Sequence, residues 1–122
     1  MIMNCVSVGV GGAIGAVARY LLSLLPINPQ NGFTPITLGI NAIGAFCLCA
    51  IVALAGRSAG FDPRMLLFLK VGLCGGFTTF STFSMEAVEL IQNRNFTIAI
   101  LYIALSVILC LSAFWGARVL FK

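Results

Sequence analysis

The sequence contains no histidine, and its only acidic residues are Asp62, Glu86 and Glu89. Charged residues make up 8% of the chain, whereas an average soluble domain has roughly 25%. The missing histidine excludes Ser-His-Asp triads and His-ligated metal sites, and the shortage of acids removes most acid–base catalysis. The seven basic residues are scattered singly, so nucleic acid is not an expected partner. We therefore expect a protein that is not an enzyme.

The cysteines exclude two further kinds of site. There are five of them, an odd number without a CxxC pair, and all lie in apolar stretches, at Cys5, Cys47, Cys49, Cys74 and Cys110. This pattern predicts neither a zinc site nor a disulfide framework. We interpret them as small packing residues.

Long apolar runs are what the chain has instead. Hydrophobic residues make up 61% of its 122 positions, and a bilayer core of about 30 Å takes about 20 helical residues to cross. Only helices or closed barrels satisfy their backbone in lipid. The sequence thus predicts an all-α membrane protein, one domain over residues 1–122 with spans at about 5–25, 36–55, 65–91 and 96–117.

Basic residues at the ends of these spans favour an inside N-terminus only weakly. That orientation places Arg57, Arg64, Arg118 and Lys122 in the cytoplasm, and it leaves Arg19 and Arg94 outside. A bias of four against two can fail to fix one orientation.

The first span contains a GxxxG pair, Gly11 and Gly15. Small residues at this spacing let two helix backbones approach closely. The pair predicts a packed helix, whether its neighbour lies in the same chain or in a second copy.

The third span combines glycines with hydroxyl residues at membrane depth. Gly75 and Gly76 predict a weakened, interrupted helix, which lipid tolerates only where the freed carbonyls are buried or line a cavity. Freed carbonyls are also ligands for a small hard cation. Five hydroxyl residues follow, at Thr78, Thr79, Ser81, Thr82 and Ser84. The alternative is a packed central helix whose hydroxyls bond to carbonyls four residues earlier.

Other spans add uncharged polar groups. Asn41 lies in the second span, and Tyr102, Ser106 and Cys110 recur every four residues in the fourth. Asn41 could simply make an interhelical hydrogen bond, and the serine could bond back to its own helix.

Charged residues near the ends of the spans receive the default interpretation. Arg19 and Lys70 are expected to extend toward the headgroups. Glu86 and Glu89 lie in the last turns before the 92–95 connection, so a wet, interfacial position is expected for both.

The polar side chains of the predicted spans are therefore mostly hydrogen-bond donors without a full charge. Such donors can bind and release an anion, whereas a permanent cation in the path would hold it too tightly. The ring edges of Phe80 and Phe83, which lie on one side of the helix, carry partial positive charge. The pattern permits a narrow anion pathway without choosing the anion.

Three motifs resemble the CrcB/Fluc family of fluoride channels. They are Gly11-Gly12-Ala13-Ile14-Gly15 with Arg19-Tyr20, Asn41 with Gly44 and Phe46, and the run from Gly75 to Ser84. The resemblance covers essentially the whole chain, and the third motif is the most specific.

The resemblance implies a fluoride-selective channel that passively exports cytoplasmic fluoride across the bacterial inner or plasma membrane. It further implies an antiparallel, dual-topology homodimer with a structural sodium ion on the backbone carbonyls of Gly75 and Thr78, and with Arg19 at the pore entrance. The implied ion pathway consists of Asn41, Phe80, Ser81, Thr82, Phe83, Ser84, Tyr102 and Ser106. The family usually has serine where this chain has Cys110, and a thiol is a weaker donor.

Two alternatives remain open from the sequence. A small four-helix multidrug antiporter, also a dual-topology dimer, relies on a glutamate in its first span, and residues 5–25 contain no acid. A non-transporting assembly subunit offers no reason for the hydroxyl-rich third span.

Overall fold

The computed structural model describes residues 1–27, 29 and 31–122, and within these ranges all its regular structure is helical. Helix α1 is Ile2–Ser23, α2 is Pro35–Arg57 and α6 is Phe96–Leu120. Between α2 and α6 runs a compound third span, Pro63–Gln92. It consists of α3 (Pro63–Leu66), a π-helical segment (Leu67–Cys74), α4 (Gly75–Phe77) and α5 (Phe80–Gln92).

In the part of the chain that the structure describes, four helical spans of 22, 23, 30 and 25 residues are long and apolar enough to cross a bilayer. This confirms the predicted all-α, four-span architecture. The second and third spans begin slightly before their apolar runs, because proline and a capping carboxylate favour the first turn of a helix. Pro35 occupies the first turn of α2, and the Asp62 carboxylate accepts the Arg64 N–H at 2.9 Å at the start of α3.

The third span is interrupted at Thr78 and Thr79 rather than at the predicted glycine pair. Gly75 is helical, with φ −64° and ψ −38°. Thr78 and Thr79 are extended, with ψ 156° and 119°. The helix restarts at Phe80 because the Thr79 hydroxyl accepts the Thr82 N–H at 3.1 Å as an N-cap. The predicted break is confirmed. It begins at Thr78, which the resemblance names, two residues after the glycine pair.

Glycines instead let α1 pack closely on the third span. A methyl group on Gly76 would lie 2.5 Å from the Gly12 carbonyl oxygen, and one on Gly11 would lie 2.5 Å from that of Phe68. Gly15, the other member of the GxxxG pair, faces the backbone of Leu73 in the same way. The close approach therefore occurs within the chain, and it holds Gly75–Phe77 in helical form despite the low helix propensity of glycine.

A second helix pair, α2 and α6, packs alongside. Where it meets α5, a small apolar core forms from Leu38, Ala87, Leu90, Ala99 and Tyr102, with Tyr102 fully buried. Between α2, the third span and α6 lies an open groove, whose lining includes several of the polar groups singled out above.

Candidate functional site

The groove has a volume of ≈ 380 Å³ and is lined by side chains from α2, the third span and α6. It brings together six of the predicted site residues, namely Asn41, Gly75, Thr78, Phe80, Phe83 and Ser106. In the described part of the chain, its lining does not include Arg19, Ser81, Thr82, Ser84 or Tyr102. The predicted pathway residues are thus divided between the groove and its surroundings.

The Asn41 amide is bound to the interrupted backbone of the third span. Its Nδ2 donates to the Thr79 carbonyl oxygen at 3.0 Å, and its Oδ1 accepts the Thr79 N–H at 2.8 Å. The bond to Oδ1 replaces the helical acceptor, the Gly75 carbonyl oxygen, that the Thr79 N–H lost when the helix was interrupted. The bond from Nδ2 gives a second donor to the Thr79 carbonyl, which as the N-cap of α5 also accepts the first bond of that helix. One Nδ2 hydrogen remains beyond the one given to Thr79. Asn41 therefore fixes the break and still has a donor at the groove.

Some hydroxyl groups around the break bond to the carbonyl four residues earlier, and others bond to one another. The Thr78 hydroxyl donates to the Cys74 carbonyl at 2.9 Å, the back-bonding expected of a packed helix. The Thr79 hydroxyl lies 3.1 Å from that of Ser81 and donates to that of Thr82 at 3.2 Å. Ser84 is half-buried on the same helix, α5. The hydroxyl cluster therefore organises the first turn of α5 beside the groove.

Three aromatic rings form a continuous row. The ring centroids of Phe80 and Phe83 are 5.5 Å apart, and those of Phe83 and Tyr102 are 5.3 Å apart. Tyr102 is fully buried, whereas Phe80 is 78% exposed in the single chain. The row leads from the apolar core to the open side of the groove.

Within the described residues, the Ser106 hydroxyl has no hydrogen-bond partner. Ser106 is 6% exposed, and its buried Oγ receives and donates no hydrogen bond among the described residues. A buried hydroxyl left unpaired costs about 1–3 kcal/mol, and buried polar groups in native structures nearly always have a partner. Cys110, one turn further along α6, lines the same groove.

Glu86 is a polar centre that the sequence did not identify. Its carboxylate accepts three hydroxyl hydrogen bonds, from Thr34 at 2.7 Å, Thr37 at 2.8 Å and Tyr102 at 2.6 Å. The expected wet position is therefore wrong for Glu86, which is half-buried, while Glu89 is exposed. Two of the donors precede Glu86 by about 50 positions, at separations of 52 and 49 residues. Only a contact between distant segments could have revealed this centre.

Arg19 bonds to the third span close to the break. Its Nε donates to the Gly76 carbonyl oxygen at 3.2 Å, a group whose helical donor would have been the N–H of Phe80. The side chain thus compensates one freed carbonyl from α1. This contact differs from the expected extension toward the headgroups.

The break also frees carbonyls that a cation could use. The helical donor for Gly75 would be the Thr79 N–H, which instead bonds to Asn41. Gly75 is exposed and lines the groove together with Thr78. Carbonyl oxygens are suitable ligands for a small hard cation, so the donor set fits the sodium site implied by the resemblance. In the described residues, no group of three or more Cys, Asp or Glu side chains could hold a metal ion.

These features define a multi-pass helical membrane protein with a helix broken at membrane depth beside a groove of uncharged donors. The family described as "CrcB-like protein, Camphor Resistance (CrcB)" matches residues 6–118. The chain therefore belongs to the CrcB family.

Curated relatives are similar in sequence to this chain over most of its length. A protein named "Fluoride-specific ion channel FluC" from Ruminiclostridium cellulolyticum is 39% identical over 122 residues, covering 98% of this chain and 93% of its own. Proteins of the same name from Gluconobacter oxydans and Erwinia tasmaniensis are 42% and 37% identical. The alignment with the Gluconobacter protein covers 90% of this chain and 78% of the relative, and the alignment with the Erwinia protein covers 99% and 100%. The relatives carry the name of a channel rather than of an enzyme.

Proposed function

We propose that this protein is a passive, fluoride-selective channel that exports cytoplasmic fluoride across a bacterial cell membrane. The buried, unpartnered Ser106 hydroxyl in a groove without acidic side chains is the observation that carries the proposal. The names of the relatives supply the identity of the ion. Hydrofluoric acid crosses membranes in its neutral form and ionises inside, so the anion accumulates unless it has an exit.

The ion pathway uses the groove and the aromatic row. Fluoride is small and tightly hydrated, so a pore must replace its water stepwise with other donors. The free Nδ2 hydrogen of Asn41, the Ser106 hydroxyl and the ring edges of Phe80 and Phe83 can do this without a permanent charge. Further hydroxyls lie next to these groups, at Ser81, Thr82, Ser84 and Tyr102. Arg19 adds positive charge at the pore entrance.

A second copy of the chain completes the pathway. Phe80 is 78% exposed in the single chain, and it lines the open groove. We assign the covering surface to an antiparallel copy, which gives a dual-topology homodimer. The weak orientation bias of the basic residues is compatible with insertion in both directions. Residues 1–122 then act as one channel domain.

A structural sodium ion would lie on the carbonyl oxygens of Gly75 and Thr78. The break removes the helical donor of Gly75, and the position is exposed to the groove. When bound, the ion would be coordinated by these oxygens and would take the place of the hydrogen-bond donors that the break removes. The role of the chain is to hold the break open, and Asn41 and Arg19 do so through their bonds to Thr79 and Gly76.

The antiporter alternative has no support. The first span contains no acidic residue, and the carboxylate of Glu86 is held by three hydroxyl groups. The curated relatives carry a channel name.

Anion efflux from liposomes that contain only this protein tests the proposal. Wild-type protein should release fluoride and retain chloride. Phe80→Ile or Asn41→Asp should reduce fluoride efflux sharply while the dimer persists, whereas Phe96→Ile, outside the groove on α6, should not. Equal release of the two anions, or no release of fluoride, would overturn the proposed function. Normal efflux from both groove variants would remove Phe80 and Asn41 from the pathway.

A further inference from the structure

Lys70 lies in the groove rather than outside it. The residue belongs to the π-helical segment Leu67–Cys74, and its side chain lines the groove with Asn41, Ser106 and Cys110. The sequence predicted only that Lys70 would extend toward the headgroups. Its position in the lining instead adds a basic side chain to a set of otherwise uncharged groups.

The antiparallel course of α2 and the third span places Lys70 at one end of the groove. Asn41 bonds to Thr79, and Gly44 packs against Thr78. Residues later in α2 therefore lie beside residues earlier in the third span. Leu48 is seven residues beyond Asn41 on α2, about 10 Å along the helix axis, and it also lines the groove. Lys70 lies toward this end, away from Asn41.

The Lys70 ammonium makes no ion pair with an acidic side chain in the described residues. Asp62 caps α3 through the Arg64 N–H, and the Glu86 carboxylate is occupied by three hydroxyl donors. The third acid, Glu89, is exposed on the last turns of α5. The positive charge of Lys70 thus remains available to a mobile anion.

We propose that Lys70 is an electrostatic attraction site that concentrates small monovalent anions at this end of the groove. The inference rests on the proposed channel function and adds a residue to it. Lys70 is exposed in the single chain, and an ammonium on a flexible four-carbon stem is strongly hydrated where it reaches water. It therefore attracts an anion without holding it as tightly as a desolvated cation in the middle of the path. At 10 Å, a single charge changes the local anion concentration about twofold in water and about seventeenfold at an effective dielectric constant near 20.

Dependence on ionic strength separates this role from a structural one. Fluoride efflux is measured from liposomes at a fixed fluoride concentration, with potassium isethionate on both sides. The screening length is about 30 Å at 10 mM salt and about 3 Å at 1 M. Lys70→Gln and Lys70→Met should reduce the initial rate several-fold at low salt and leave it close to wild type at high salt. Lys70→Arg, which keeps the charge, should retain the wild-type rate at both.

Arg64→Gln is the matched control. It removes the same charge from the same span, six positions earlier, at a residue outside the groove lining, and it should leave both rates unchanged. Equal loss at low and high salt in the Lys70 variants would overturn the proposal, and so would the same salt-dependent loss in Arg64→Gln. Wild-type protein that releases no fluoride would contradict the proposed function. If the wild type releases fluoride and Lys70→Gln and Lys70→Met release it at the same rate, only the role of Lys70 is contradicted.

Discussion

The side-chain amide of Asn41 pairs with both backbone polar groups of Thr79, donating to its carbonyl at 3.0 Å and accepting its N–H at 2.8 Å. An amide that bonds to the N–H and the carbonyl of one residue can supply a hydrogen-bond partner that the interrupted helix does not. It allows two extended residues to exist in the middle of a span without an unpaired N–H at Thr79. The break in the third span therefore depends on a residue of the second.

Replacing Asn41 by alanine should destabilise the fold as well as impair transport. Two half-buried hydrogen bonds are lost and the Thr79 N–H is left unpaired, so we expect a loss of about 1–3 kcal/mol. Thermal unfolding in detergent micelles, followed by circular dichroism, measures this. Asn93→Ala, an exposed asparagine at the end of α5, provides the control and should unfold like wild type. Equal unfolding temperatures for the two variants would contradict the proposed clamp.

Gly15→Ala should be destabilising even though alanine is the better helix former. The added methyl group would collide with the backbone of Leu73 and Phe77, and overpacking of this kind typically costs about 1–3 kcal/mol. A methyl group on Gly9, on the same helix, would meet no neighbouring helix or side chain within 4 Å. Gly9→Ala should therefore leave the thermal stability unchanged or slightly raised. Loss of stability in both variants would mean that helix geometry, not packing on the third span, is limiting.

The helical architecture could be predicted from the sequence because apolar length alone identifies a membrane span. The position of the break could not. Gly75 and Gly76 are intrinsically poor helix formers, but the backbone of Gly12 on α1 requires a glycine at position 76 for close packing. The break falls at Thr78 and Thr79, where Asn41 supplies alternative partners.

The candidate site could be predicted only where its residues lie on one helix. Residues that share a helix face, such as Phe80 and Phe83, were placed together correctly by periodicity, since their rings are 5.5 Å apart. Glu86 was assigned to the interface because it lies near the end of a span. Its donors, Thr34 and Thr37, come from the start of α2, and no local pattern encodes that contact. The π-helical form of the segment that carries Lys70 also has no local signal.

The proposed dual topology predicts two-sided access to the C-terminus. With the five native cysteines replaced, Lys122→Cys in whole cells should react partly with a membrane-impermeant maleimide added outside. The remainder should react only after the membrane is permeabilised, because the basic residues favour neither orientation strongly. As a comparison, arginines added after Lys122 should strengthen the preference for one orientation and shift the labelled fraction accordingly. Complete labelling, or complete protection, of Lys122→Cys would contradict insertion in both directions.

Ser106→Ala should separate transport from stability. The Ser106 hydroxyl makes no hydrogen bond within the described chain, so its removal breaks none and relieves a buried unpaired group. We expect unfolding in detergent at or above the wild-type temperature. If the hydroxyl serves a fluoride ion, the variant loses a hydrogen bond to a charged group, worth about 1.5–3 kcal/mol, and efflux should fall at least about tenfold. Ser112→Ala, exposed on the same helix, should change neither property. A Ser106→Ala protein that is less stable yet conducts normally would assign the hydroxyl to the fold and remove it from the ion pathway.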